Sequence, residues 1–301
     1  MDRLHTLTVT QDQIDHLGHM NVRFYTASAC LGARALASGL GARGGGDARI
    51  CERDIYVRHR REQLVGARLE VTGGVLEASR DCIRVYEELA NVDSGDVAAT
   101  FVMALAAIDE DRNPVKFPDD VVESAGAARV EIPDYGMSRS ISFDDEPAAP
   151  PSLDVLQARD LAQRQVRVVE AAECDEDGWF PAEMMMALVW GGEPLPGRDF
   201  RPFHETPEGR NLAWATMETR AVWSRLPRVG DRVQSFNAEI SVAEKTFNSR
   251  YWVYDLDRAE LACSFSVVSL AFDLEARRSV VIPDVLREEM LQRLNPDLAL
   301  G

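Results

Sequence analysis

Seven consecutive residues near the N-terminus, Asp15-His16-Leu17-Gly18-His19-Met20-Asn21, gather a carboxylate, a glycine, a histidine and a side-chain amide. Residues of these types suit acyl hydrolysis. A carboxylate can attack a carbonyl carbon or activate the water that does so, and N–H donors can hold the oxygen on which charge develops. The segment stands at the mouth of a long apolar run, so it is expected beside a helix start, where backbone N–H groups lack intrahelical partners.

The elements that must position these residues follow from periodicity. Residues 4–10 alternate and predict a first strand. Residues 22–40 are apolar or small nearly all round, which predicts a helix buried on most of its surface, with Asn21 as its N-cap. Gly39 and Gly41 end it, and a loop is expected over 41–49. That loop's glycines lack the Gly-Lys-Ser/Thr sequel of a phosphate loop. Strand patterns follow at 49–59, 68–78, 82–91 and 97–109. Residues 116–151, rich in Asp, Pro, Ala and Gly, read as a linker.

The second half repeats the first. Asp15 and Gly18 recur as Asp175 and Gly178 at a shift of 160, whereas Val65-Gly66 and Asp109 recur as Val229-Gly230 and Asp273 at a shift of 164. The four extra residues fall in a longer helix-to-strand loop at 193–211. The second unit then reads as a strand at 165–172, a helix at 181–190, strands at 214–225, 232–243, 247–255 and 261–273, and an amphipathic helix at 283–294. Two units are therefore expected, at 1–118 and 153–301, joined by a linker at 119–152.

The D-x-x-G-H-x-N pattern of Asp15, Gly18, His19 and Asn21 resembles the signature of hot-dog-fold thioesterases, the 4-hydroxybenzoyl-CoA and acyl-ACP thioesterase group. The resemblance implies an α+β fold, a tandem (double) hot-dog in which antiparallel sheets each wrap a long central helix. It further implies internal pairing of the two units in place of a homodimer, and leaves open homo-oligomers of double hot-dog chains. The implied activity is hydrolysis of an acyl-CoA or acyl-ACP thioester without cofactor or metal. Asp15 would be nucleophile or general base, His19 and Asn21 its catalytic company, and Gly18 the point of close carbonyl approach, with helix-start amides as oxyanion donors. Tyr25 reads as core and His16 as exposed.

Arg58, Arg60 and Arg61, in the run Arg58-His59-Arg60-Arg61, read as a clamp for the phosphates of the substrate's carrier, with Arg220, Arg225 and Arg228 in the matching region of the second half. The motif degenerates there. His19 becomes Trp179 and Asn21 becomes Pro181, so one active site is expected and Asp175 with Gly178 form a minority second site. Trp179 and Met185 read as core or acyl-pocket lining.

Charge and cysteines narrow the class further. Lysines and arginines number 33 against 50 aspartates and glutamates, a net charge of −17, which argues against nucleic acid and anionic membrane surfaces as partners. Five scattered cysteines without C-x-x-C spacing read as free thiols of a reducing, cytoplasmic compartment. No signal pattern or membrane-length apolar run appears. A hot-dog enoyl-thioester hydratase or dehydratase would carry a histidine five residues after the aspartate, with Asn-Pro between. Here Asp15 and His19 are four apart. A non-catalytic acyl-CoA-binding protein would normally carry an output module, and no such pattern is evident.

Overall fold

The computed structural model describes residues 1–15, 17–42, 48–191, 193–195 and 211–299. His16, the centre of the 41–49 loop (43–47) and most of the 193–211 loop (192 and 196–210) lie outside the described residues. The chain divides into two compact units, one of Met1–Arg139 with Ala182–Met184 and one of Ser140–Pro181 with Met185–Gly301.

The first unit is an antiparallel sheet on one long helix. Its strands are β1 (Asp2–Thr8), β2 (Arg49–His59), β3 (Arg68–Ala78), β4 (Ile83–Asn91) and β5 (Val97–Ile108), in the spatial order β1-β3-β4-β5-β2. The two-residue β6 (Pro114–Val115) pairs with β5. Helix α1 (Val22–Gly39) begins where Asn21, in extended conformation, accepts from Arg23 N at 3.1 Å through Oδ1. That cap satisfies one of the amides a helix start leaves open. The buried face of α1 is built from small residues, among them Ser28, Ala29, Gly32 and Ala33. Gly32 is required by proximity: a Cβ there would stand 2.8 Å from Val71 Cγ1 and 3.0 Å from Glu87 Oε1.

The second unit repeats this plan with β7 (Ala162–Gln163), β8 (Arg167–Val168), β9 (Leu212–Trp223), β10 (Arg232–Val242), β11 (Thr246–Asp255) and β12 (Glu260–Asp273). Its order is β7-β10-β11-β12-β9, with β8 also on β10 and β13 (Arg278–Ser279) on β12. Backbone bonds recur at the sequence shifts. Gly66 N donates to Val9 O at 2.8 Å and Gly230 N to Val169 O at 2.9 Å. These two turn glycines have φ of +84° and +89°, a conformation glycine adopts without steric cost. Arg60 N and Arg61 N both donate to Ala98 O, as Ser224 N and Arg225 N do to Ala262 O.

Three expectations are corrected. The segment read as a linker carries α2 (Asp119–Ala127), which packs on β3 through Val121 and Ala125, and it stays in the first unit as far as Arg139. Its counterpart, at a shift of 165, is α5 (Asp284–Gln292), and both helices follow a proline N-cap, Pro118 and Pro283. Two buried positions in nine residues are too faint a stripe to stand out among so many Asp and Ala. Secondly, residues 165–172 do not form one strand. Arg167 turns its side chain to Ala187 O and to Glu173, and a 3-10 turn occupies Ala171–Glu173. Thirdly, the helix at 181–190 is a 3-10 turn, Ala182–Met184, followed by the six-residue α4 (Met185–Trp190). Short α3 (Leu153–Ala158), capped by Ser152, packs with Leu161, Phe236 and Trp252. Among the described residues no helix is long and apolar enough to cross a membrane.

Candidate active site

The Asp15 loop is a tight excursion between a 3-10 turn at Gln11–Gln13 and α1. Asp15 N donates to His19 O at 2.9 Å and Gly18 N to Asp15 O at 3.0 Å, while an isolated bridge joins Ile14 to Met20. Gly18 has φ of +86°, so the reversal depends on a residue without Cβ strain. Met20 N then donates to Gln63 O at 2.8 Å, tying the loop to the segment after β2.

The side chains brought together are those of the pattern, with one addition. Asp15 Oδ1 accepts from Leu17 N at 2.8 Å, and Oδ2 stands 3.5 Å from His19 Nδ1. The other imidazole nitrogen, Nε2, stands 3.6 Å from Glu62 Oε1. Both separations are longer than an ordinary hydrogen bond. Asp15 and His19 are partly sheltered, with side chains 14% and 17% exposed, and Glu62 is more open. Among the described residues His19 N has no intramolecular acceptor. Asn21 stands apart from this group in role, since its side-chain oxygen caps α1 and its backbone N–H donates to Gln13 O at 2.9 Å. The cap and the Phe24 N to Asn21 O bond occupy the amides of Arg23 and Phe24, so these two helix-start donors are already spent.

Tyr25 is buried as expected, yet it touches the site. Its hydroxyl donates to Arg61 O at 3.1 Å. Burial pushes its phenol well above the ordinary range, and the carboxylates of Glu62 and Asp15 act in the same direction. Its ring meets His59 edge-on, centroids 5.4 Å apart. Among the described residues neither nitrogen of His59 has a hydrogen-bond partner, and burial pulls its pKa down to about 4, so it is neutral near pH 7. Glu62, Gln63 and His59 are the site residues missed in the sequence. All three lie some forty residues from Asp15, inside or beside a basic run that drew attention to its charge.

The arginine clamp is only partly compatible with the structure. Arg58 is 8% exposed and donates to Tyr135 O at 2.9 Å and Met137 O at 2.7 Å, which is a structural task. Arg60 donates to Tyr135 O at 3.1 Å and lies over the Tyr135 ring. Arg58, near the end of β2, and Arg60, just past it, reach the strap at 133–137, a contact local sequence could not reveal. Arg61 is exposed.

The second half keeps the loop and replaces its histidine with Trp179. Asp175 N donates to Trp179 O at 2.9 Å and Gly178 has φ of +78°. Asp175 Oδ1, however, accepts from Asp177 N and from Trp179 N at 3.1 and 2.9 Å. The amide equivalent to His19 N is thus closed by the loop's own carboxylate. Trp179 is buried beneath the Arg228 guanidinium, 4.6 Å from the ring centroid, and Met185 is core.

The cysteines are free thiols. Cys30 lies near Glu52 and Glu183, their ligand atoms within 4.8 Å of one another. Arg34 fills that space instead, donating to Glu52 at 2.9 and 3.1 Å and to Glu183 at 2.9 and 2.6 Å.

Residues 9–124 match the family model described as the Thioesterase-like superfamily. Among curated protein sequences none matches this chain. Three solved structures share its fold along most of their length. A provisionally assigned oleoyl thioesterase from Lactobacillus plantarum is 11% identical, with 88% of this chain and 94% of that one covered and a TM-score of 0.65. The 12:0-ACP thioesterase from Umbellularia californica is 11% identical, covers 90% and 94%, and gives 0.62. An acyl-ACP thioesterase from Bacteroides thetaiotaomicron is 11% identical, covers 88% and 96%, and gives 0.60. The fold is the double hot-dog.

Proposed function

We propose that this double hot-dog protein is a thioester hydrolase with one working site, at Asp15. The observation that carries the reading is the contrast between two loops of the same backbone. In the first, the carboxylate faces an imidazole and the His19 amide lacks an acceptor; in the second, Asp175 closes on its own amides. Asp15 takes a proton from water as that water adds to the thioester carbonyl, and the His19 amide donates to the oxygen that becomes negative. His19, between Asp15 and Glu62, orients the water or the substrate. Collapse of the tetrahedral adduct breaks the C–S bond, and the departing thiolate takes up the proton. The acid and the free thiol are the products.

The carrier is coenzyme A or acyl carrier protein, and exposed Arg61 is the arginine of the original run best placed to meet its phosphate. The family match over the first unit and the described activities of proteins with this fold support the class of reaction. A panel of acyl-CoA and acyl-ACP thioesters, assayed by released thiol, tests it. Turnover of at least one chain length, abolished by Asp15→Asn, is expected. Undiminished turnover in that variant, or none with any thioester, overturns the proposal.

A further inference from the structure

The two units differ on the sheet face opposite α1 in the first and α4 in the second, at one cross-strand row. In the first unit Tyr56, Val102 and Tyr86 stand side by side on β2, β5 and β4. Both tyrosines are fully buried. Tyr86 donates to Glu88 Oε1 at 2.8 Å, Tyr135 donates to the same oxygen at 2.8 Å, and Gly136 packs against the Tyr86 hydroxyl. That row is filled.

At a shift of 164 the same row in the second unit reads Arg220, Ser266 and Arg250, on β9, β12 and β11. The space the first unit fills with aromatic rings is here a cavity of about 420 Å³, lined in part by Arg220, Arg250, Ser266, Ser264 and Trp252. That is within the range of small-molecule sites, roughly 300–1,000 Å³. The roof is the strap at 140–148, held by Arg220 through Ser142 O at 2.7 Å and Asp145 O at 2.9 Å. Glu218, two residues earlier on β9, accepts from Ser140 N and Ile141 N at 3.0 and 3.1 Å.

Arg220 thus has a structural task, whereas Arg250 has almost none. Among the described residues its guanidinium makes one hydrogen bond, to Leu298 O at 3.3 Å, and no carboxylate pairs with it. Burial alone lowers its pKa. The acidic residues of the cavity, Asp145 and Glu146, are exposed, while Arg250 stands beside serine hydroxyls on the floor. A partly buried guanidinium without a counter-charge is costly to hold, and an oxyanion supplies what it lacks.

We propose that this cavity binds a small ligand bearing an oxyanion, a carboxylate or a phosphate, on Arg250 with Ser266 and Ser264 as further donors and Trp252 as an apolar wall. The site is separate from the Asp15 loop and does not depend on the reading of that loop as catalytic.

The test is calorimetric titration of the full chain with inorganic phosphate and, separately, with acetate, chloride holding the ionic strength constant. Saturable binding of one equivalent in the millimolar range or tighter is expected for at least one anion. Phosphate alone marks a phosphorylated ligand, acetate alone a carboxylate ligand, and both a simple oxyanion site. Arg250→Gln should weaken binding at least tenfold. The double variant Arg250→Tyr, Ser266→Val copies two of the three row positions of the first unit and leaves Arg220 to hold the strap, so it should fold with unchanged thiol release and bind neither anion. Lack of saturation with both anions, or binding that survives Arg250→Gln, overturns the proposal.

Discussion

The imidazole of His19 stands 3.5 Å from the carboxylate of Asp15 across a loop whose backbone is copied, without the imidazole, at Asp175 and Trp179. The copy is an internal control, since it shares the backbone and lacks the imidazole. In the Asp15→Asn variant kcat should fall about a thousandfold, in line with losing a general base, with the melting temperature within a few degrees of wild type. Asp175→Asn should leave kcat near normal. Steady-state thiol release on both variants checks it, and the reverse pattern would move the chemistry to the second unit.

Glu62 approaches the far side of His19, with Oε1 3.6 Å from Nε2. Glu62→Gln removes a charge but keeps the shape, so it should lower kcat roughly tenfold and His19→Ala roughly a hundredfold, on the general scale of acid–base assistance. Losses in the double variant should be less than multiplicative, because the two side chains act as a unit. Multiplicative losses in the double variant would separate them.

Arg34 is bidentate to Glu52 and to Glu183, and Glu52 is 1% exposed. Arg34→Met leaves those carboxylates without their cation. Destabilisation on the order of 3 kcal/mol is expected from breaking such a pair, read by urea unfolding at pH 7. Burial raises the Glu52 pKa, so the loss should shrink as pH falls and the carboxyl takes up a proton.

His59 has a folded pKa of about 4 against an unfolded value near 6.5, because burial opposes its charge. Between those values the unfolded chain binds more protons, so this group's contribution is intact above pH 6.5 and is lost as pH falls towards 4. His59→Phe should flatten that part of the curve of melting temperature against pH. An unchanged acid limb would show that the imidazole is not sequestered.

Glu239 behaves oppositely. Burial pushes its carboxyl up to about 7, and among the described residues Oε2 has no hydrogen-bond partner. The folded state therefore binds the extra proton, and the contribution present below pH 4.5 is lost as pH rises through 7. Glu239→Gln should melt higher than wild type at pH 8 and no higher at pH 5.

The sequence by itself determined a great deal where information is local or periodic. The bounds of β2 and β3, the extent of α1 and its Asn21 cap were legible because strand alternation, helical spacing and capping are written within a few residues. The repeat was legible because Asp15, Gly18 and Gly66 occupy turns whose geometry tolerates few substitutes. Only the tertiary structure decided what lies on either side of His19, what Arg58 holds, and that Tyr86 is matched by Arg250. These facts join residues dozens of positions apart, through loops and sheet register. A side chain such as Arg58 or Arg250 carries the same charge wherever it stands, and only the surrounding fold decides whether that charge meets a carbonyl or lines a cavity.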